Sequence, residues 1–517
     1  MYISKHETTN PGDAPGLGNA VSPTAIKETS LPDQARPVTV HVVPVTEKIP
    51  IPGASPYALF RALQPEKGYI LESMEGLPRR AVRSIVGLAP ECVFTIGEDV
   101  SCEGKRYLSD IFDGPGGKDP ISSFRRLSGQ FRYGGPSGTD FYGGLVGYCS
   151  YDLVTRSTGG LVQAGEDEDV PFVRLMLSTR GIVYNHVEAS CTLFDDLLIT
   201  SDTDQEEEHA KACERISSLK RKIMEVPAGE ISIPAERQKN INFSATPSRK
   251  AFEGMVRKAR EHIMAGDIFQ VVLSRKIRSP FAGDPLRIYG AVRTINPSPY
   301  LYCLQFGDEA VIGSSPEMLL RVLGRTITTV PIAGTRPRGR TDEEDESLAR
   351  ELLNDEKECA EHLMLVDLAR NDIGRVAAFG SVALPEFYTV EKFSHVQHIV
   401  SRVEGTLAEG LDRFDALSSC FPAGTVSGAP KIRAMQIIAR LEAEPRGLYA
   451  GAVGYAGFND ILEFAIAIRT LRVSKGIAEF STGAGIVADS IPENEFDETE
   501  FKARAMIGAL EGAGEES

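Results

Sequence analysis

The order of the strand-like runs limits most strongly how this chain can fold. Toward the C-terminus, GLYAGAVGYAGF, LEFAIAIRTLRV and IAEFSTGAGIVADS follow one another as three strands in a row. Elsewhere strands and helices alternate irregularly, with no βαβ repeat and no G-x-G-x-x-G dinucleotide signature. That order argues against a doubly wound parallel sheet and for an α+β fold with large, mainly antiparallel sheets. At 517 residues the chain is too long for one ordinary core, so two domains or one very large one are expected.

Residues 1–38 are rich in Pro, Gly, Ser and Thr and read as a disordered extension. Order is expected from about Val38, and 39–225 reads as a mostly β domain. A short helix starts at Pro56 with Ser55 as its cap, and GYILES (68–73) reads as a buried strand. FYGGLVGYCSYDLV (141–154) interleaves glycine with aromatic and aliphatic residues, as in a strand packed closely against another backbone. Prolines and polar residues mark 226–247 as a linker, and 248–512 forms the second domain.

A net charge of −16 argues against nucleic acid or anionic membranes as partners, but leaves room for a small anion held by local cations. The eight cysteines include no C-x-x-C pair, so no zinc or redox signature is present and a reducing cytoplasm is expected. No apolar run is long enough to span a membrane.

NDEKECAEHLMLVDLARND (354–372) reads as a helix, with Glu358 and Glu361 three residues apart on one side. Its second half is apolar nearly all round, the pattern of a buried helix. Buried carboxylates must be paired, protonated or metal-bound; Lys357 or a distant Arg is one solution. The closing helix repeats the spacing with Glu495 and Glu498, and Lys502 follows at i+4. Four acids without His or Cys partners suit a hard divalent cation such as Mg²⁺; two solvated faces are the alternative. Glycine turns at 333–335, 424–430 and 481–485 are either structural or receive an oxyanion on their backbone amides. Arg469, inside the apolar FAIAIRTL, and Lys502 are the cationic candidates. Residue chemistry alone stops at Mg²⁺-dependent handling of a small polyanion.

PIAGTRPRG, EHLMLVDLARNDIGRV, GTVSGAPKIRAMQII, GAVGYAGF, STGAGIVADS and DETEFKARA together resemble the chorismate-utilising enzymes. That family includes anthranilate synthase component I, aminodeoxychorismate synthase, and the isochorismate and salicylate synthases. The likeness is dense over about 245–510 and looser in the N-terminal half. It implies a two-layer antiparallel β-sandwich flanked by helices, with chorismate in a cleft. By motif it implies Glu361 and Glu498 as Mg²⁺ ligands, with Glu358 and Glu495 acting through water. Gly334, Thr335, Tyr449, Arg469, Gly483, Ala484, Gly485 and Lys502 are then chorismate contacts. Glu317, in SSPE, matches the general acid for the departing C4 hydroxyl, and His398 matches the residue linked to pyruvate elimination; His395 reads as structural.

Gln270 stands where the water-using members carry Lys, and Ala333 where typical aminodeoxychorismate synthases carry a nucleophilic Lys. Both point to the ammonia-using branch that makes anthranilate in tryptophan biosynthesis. The resemblance further implies feedback inhibition by tryptophan at Ser73 and Pro299–Tyr300–Leu301. It also implies ammonia from a separate glutamine amidotransferase subunit, in a heterotetramer. The alternatives are an enzyme that stops at aminodeoxyisochorismate, an aminodeoxychorismate synthase, and a non-catalytic tryptophan sensor.

Overall fold

The computed structural model describes residues 40–74, 83–105, 108, 114–115, 119–135, 138, 140–201, 203–229, 241–393 and 396–513. The expected extension at 1–38, His395 and half of the 226–247 linker (230–240) lie outside these residues.

Among the described residues two sheets of 12 strands each dominate, with a further small three-stranded sheet. The α+β class and the large antiparallel sheets are as expected. Tyr69, Val93, Tyr148, Met176, Val183, Tyr302, Val311 and Val453, drawn from both sheets, form one apolar cluster between them. The outer face of one sheet packs on helices Pro120–Ser128, Glu356–Gly374 and Arg413–Cys420. The outer face of the other packs on Pro56–Leu63, Gln205–Glu225, Pro285–Ile295 and Pro492–Ala513. Ser55 caps the first of these by accepting from the Ala58 amide, which explains why that short segment is helical.

The linker divides the chain but not the architecture. Strand Gly144–Cys149 pairs with Ala452–Gly457, and strand Gly68–Glu72 pairs with Tyr300–Gln305. Each large sheet is therefore continuous across a seam between the N- and C-terminal halves, and the described residues form one compact unit.

Glycine makes the seam possible. Gly147 faces Gly454 across the ladder, and a Cβ on Gly147 would overlap the Arg174 carbonyl oxygen of the next strand. The close backbone approach read from FYGGLVGYCSYDLV is present, but the strand ends at Cys149 and the chain turns helical from Tyr151. The buried Asp152 carboxylate holds that turn by accepting from the Gly447 and Asp167 amides.

Candidate active site

Helix Glu356–Gly374 starts where the Asp355 side chain accepts from the Lys357 and Glu358 amides. This cap sets Glu358 in the first turn and Glu361 in the next. The helix is not buried all round as its composition suggests: Leu363 is 46 % exposed, while His362, Leu365, Val366 and Ile373 face inward. Its apolar residues cover one side, and the rest lies on the surface. Gly334, at φ +67°, packs against the first turn, and a Cβ there would come 3.2 Å from Glu358 Oε2. Gly424 packs on Leu368 of the same helix, and the buried Lys431–Asp372 ion pair (2.6 Å) ties helix Lys431–Leu441 to its end.

The closing helix brings the second acid pair opposite the first. Burial and the neighbouring Glu358 charge raise the Glu361 carboxyl above its usual range, with Glu498 adding to the rise. Burial and the Glu498 charge raise Glu495 likewise, against the Ser490 hydrogen bond. Four carboxylates on two helices thus act on one another, tempered by Lys357 and Lys502. Lys502 bonds Glu498 at 2.6 Å and donates to the Gly483 carbonyl at 3.0 Å. An all-oxygen donor set under mutual repulsion is chemically suited to Mg²⁺. Among the described residues, however, no three acidic, His or Cys side chains are already drawn together around a metal-sized space.

Strand Gln270–Pro280 pairs with Ile477–Ile486, placing Val272 opposite Gly485 and Ser274 opposite Gly483. A Cβ on Gly485 would lie 2.7 Å from Gln270 Nε2, and one on Gly483 would collide with the Tyr449 hydroxyl. Gln270, Tyr449 and the two glycines therefore form one face of the strand. Ala484 alternates to the other side, where its methyl group packs with Phe252 and Ala434, so only its backbone is available to a ligand.

Glu317 follows strand Glu309–Ser315, and the Ser315 hydroxyl accepts from its amide. Burial pushes its carboxyl up to about 7, so it holds a proton near neutrality. The Thr425 hydroxyl draws it the other way; that hydroxyl is buried and has no hydrogen-bond partner of good geometry. By sequence, turn 424–430 offers its backbone amides, and nothing singles out the Thr425 side chain. The available signal was a hydroxyl within that turn.

His398 Nδ1 lies 2.7 Å from the Gly334 carbonyl and 3.1 Å from the Thr335 hydroxyl. A carbonyl can only accept, so Nδ1 carries the proton and Nε2 is left basic. Burial, with the Arg469 charge acting in the same sense, holds the imidazole below its usual pKa and keeps it neutral.

The position of Arg469 corrects the sequence reading. FAIAIRTL is not one strand, and its arginine is not enclosed by the apolar residues around it in sequence. Leu462–Ile466 belongs to one sheet and Thr470–Ser474 to the other, and the chain crosses between them at 467–469. Arg469 sits at that corner with φ +49°, exposed, and donates to Asn296 Oδ1 at 3.2 Å. The run is apolar because both strands are buried, which conceals the break.

Ser73, Pro299, Tyr300 and Leu301 line a separate cavity of about 650 Å³ at the seam of the two halves. Its wall also holds Phe393, whose ring centroid is 5.2 Å from that of His398, and Pro316 and Met318, which flank Glu317. The cavity thus backs directly onto the segments that carry the Glu317 acid and the imidazole.

The chorismate binding enzyme family matches residues 69–508. The chain belongs to that family. It is 41 % identical to "Anthranilate synthase component 1" of Acetivibrio thermocellus over 483 residues, 92 % of this chain and 96 % of that one. The same-named protein of Thermus thermophilus is also 41 % identical, over 94 % of this chain and 98 % of its own. Among solved structures, anthranilate synthase component I from Streptococcus pneumoniae superposes with TM-score 0.70 at 36 % identity, covering 84 % of this chain and 93 % of that one. The menaquinone-specific isochorismate synthase of Escherichia coli, at TM-score 0.67 and 21 % identity over 92 % and 96 %, shares the fold. No helix among the described residues is long and apolar enough to cross a membrane.

Proposed function

We propose that the chain converts chorismate and ammonia into anthranilate, pyruvate and water. The observation that carries this reading is a desolvated, half-buried acid that holds its proton near neutrality, Glu317, and a neutral imidazole with a basic Nε2, His398, in a chain collinear with anthranilate synthase component 1 relatives.

Ammonia attacks C2 of the ring as the double bonds shift, and the C4 hydroxyl leaves as water with the proton of Glu317. The surplus proton on nitrogen passes to solvent. His398 Nε2 then takes the C2 proton as the C3–O bond breaks, and the departing enolpyruvate gains a proton at its methylene carbon to become pyruvate. Gln270 holds a neutral amide at the face where ammonia enters, and an amide does not activate water as a base. Arg469 and Lys502 supply charge for the two substrate carboxylates, with Tyr449 and the amides at 334–335 and 483–485 as further contacts. Glu361 and Glu498 would hold Mg²⁺, with Glu358 and Glu495 through water; when bound, the ion neutralises and orients the ring carboxylate.

Ammonia from glutamine would come through an amidotransferase subunit in a heterotetramer, consistent with the "component 1" name of the relatives. Tryptophan would occupy the seam cavity, where pressure on Phe393 reaches His398.

The deciding experiment mixes purified chain, chorismate, Mg²⁺ and an ammonium salt at neutral to mildly alkaline pH and follows anthranilate fluorescence. The chain has no Trp, so its own emission interferes little. Fluorescence that disappears with EDTA supports both reaction and metal. Chorismate consumed without fluorescence moves the reading to aminodeoxyisochorismate or a 4-amino product. Chorismate untouched, with tryptophan bound, moves it to a sensor.

A further inference from the structure

A charged pair behind the site, itself outside the proposed substrate contacts, ties together the segments that carry them. Arg446 and Glu442 are buried, their side chains 2 % and 7 % exposed. Arg446 Nε donates to Glu442 Oε2 and Nη2 to Glu442 Oε1, both at 2.8 Å. Nη1 also donates to the Val426 carbonyl at 2.8 Å, and Nη2 to the Val272 carbonyl at 2.7 Å. Glu442 Oε1 in turn accepts from the Ser274 amide at 2.8 Å and its hydroxyl at 3.0 Å. The guanidinium lies over two rings, Tyr151 at 4.7 Å and Tyr449 at 5.5 Å.

Each anchor leads to the site. Val426 follows Thr425, the hydroxyl beside Glu317. Val272 and Ser274 pair in register with Gly485 and Gly483. Tyr449 presents its hydroxyl to Gly483. A pair of packed apolar side chains would fill this space with no desolvation penalty. A planar fork has what they lack: donor directions that hold two backbone carbonyls from different segments at once. Lysine cannot reproduce that, because its ammonium is one point charge with no fixed fork.

We infer that Arg446, oriented by Glu442, is a positioning residue for the reaction, setting turn Gly424–Ser427, strand Gln270–Pro280 and the Tyr449 ring in one mutual geometry. The inference rests on the proposed chorismate reaction. It implies that Tyr449 contributes to turnover only while Arg446 holds it.

The test is a double-mutant cycle of Arg446→Lys with Tyr449→Phe. It is read as kcat and KM for chorismate at saturating ammonia, well below the melting temperature of every variant. Displacing the site by about 1 Å is worth roughly 100-fold in rate, so Arg446→Lys is expected to lower kcat/KM by about 10- to 100-fold. Tyr449→Phe, costly in the wild type, is then expected to cost little more in the Lys background. A residue that only stabilises the fold would lower the melting temperature and leave the Tyr449→Phe effect unchanged; such additivity, or wild-type kinetics in Arg446→Lys, overturns the inference. Should Arg446→Lys fail to fold, Glu442→Gln, which keeps the shape of the acceptor, replaces it in the same cycle with a smaller effect of the same sign. Chorismate binding by calorimetry separates the two readings. If the wild type binds chorismate but forms no anthranilate, the proposed reaction fails while the cycle is still read on affinity. If chorismate does not bind at all, both fail.

Discussion

At the residue scale, Glu317 joins stability to chemistry. Its folded pKa of about 7 stands above the usual 4.5 of a glutamate. The raised pKa favours the folded state while the group is protonated, and that advantage is lost as pH rises from about 4.5 through about 7. Above this window the desolvated carboxylate costs roughly 3 kcal/mol of stability. Glu317→Gln is therefore expected to melt higher than the wild type at pH 8. The two are expected to converge below about pH 4.5; thermal melts across pH check this, and parallel curves would contradict it. The same variant is expected to lose about 100- to 10,000-fold in anthranilate formation, as removal of a general acid does. In the wild type, kcat/KM at saturating free ammonia should fall as pH rises through about 7. Nothing local to SSPE announces the burial; it comes from the strands and the Thr425 turn around it. Thr425, Glu442 and Arg446 were invisible for the same reason, since their partners lie far away in the chain and leave no periodicity.

At the element scale, the two acidic helices were readable because a helix keeps residues three apart on one side whatever its surroundings. Glu358 with Glu361 and Glu495 with Glu498 needed only that geometry. That the pairs face each other was not readable, and their mutual repulsion is what favours a cation. Mg²⁺ is expected to raise the melting temperature of the wild type, by the equivalent of about 2.7 kcal/mol at 100 times its dissociation constant. Glu361→Gln or Glu498→Gln is expected to abolish that rise, and Glu361→Gln, which removes a carboxyl raised by burial and by Glu358, to melt higher than the wild type without metal. A wild type whose melting is the same in Mg²⁺ and in EDTA would remove the metal proposal. The glycine-rich strand at the seam belongs to this scale too. Gly147→Ala forces a methyl group into the neighbouring backbone and is expected to cost about 1–3 kcal/mol, seen as a lower urea midpoint.

At the scale of the whole molecule, the seam cavity belongs to neither half alone: Leu71, Ser73, Arg83 and Phe141 meet Tyr300, Met318, Phe393 and Val453 there. Ser73→Phe is expected to fill it and weaken tryptophan inhibition by more than about 10-fold, a difference of at least about 1.4 kcal/mol, with basal turnover retained. Inhibition curves paired with calorimetry check this; undiminished inhibition would move the inhibitor elsewhere. By itself the sequence determined what depends on near neighbours: the helix at Pro56 with its Ser55 cap, the two acidic helices, many of the strands, the glycine turns, and the motifs that resemble chorismate-utilising enzymes. It also determined the carboxylate pairs, because helical spacing is local. Only the tertiary structure decided that FAIAIRTL crosses between sheets and leaves Arg469 exposed at a corner. It alone decided that helix Glu356–Gly374 lies half on the surface, that both sheets run through the linker boundary, and that Arg446 joins three segments of the site. Those facts rest on pairings between residues far apart in the chain, set by burial and hydrogen-bond satisfaction over the whole sandwich, and short-range pattern carries no trace of them.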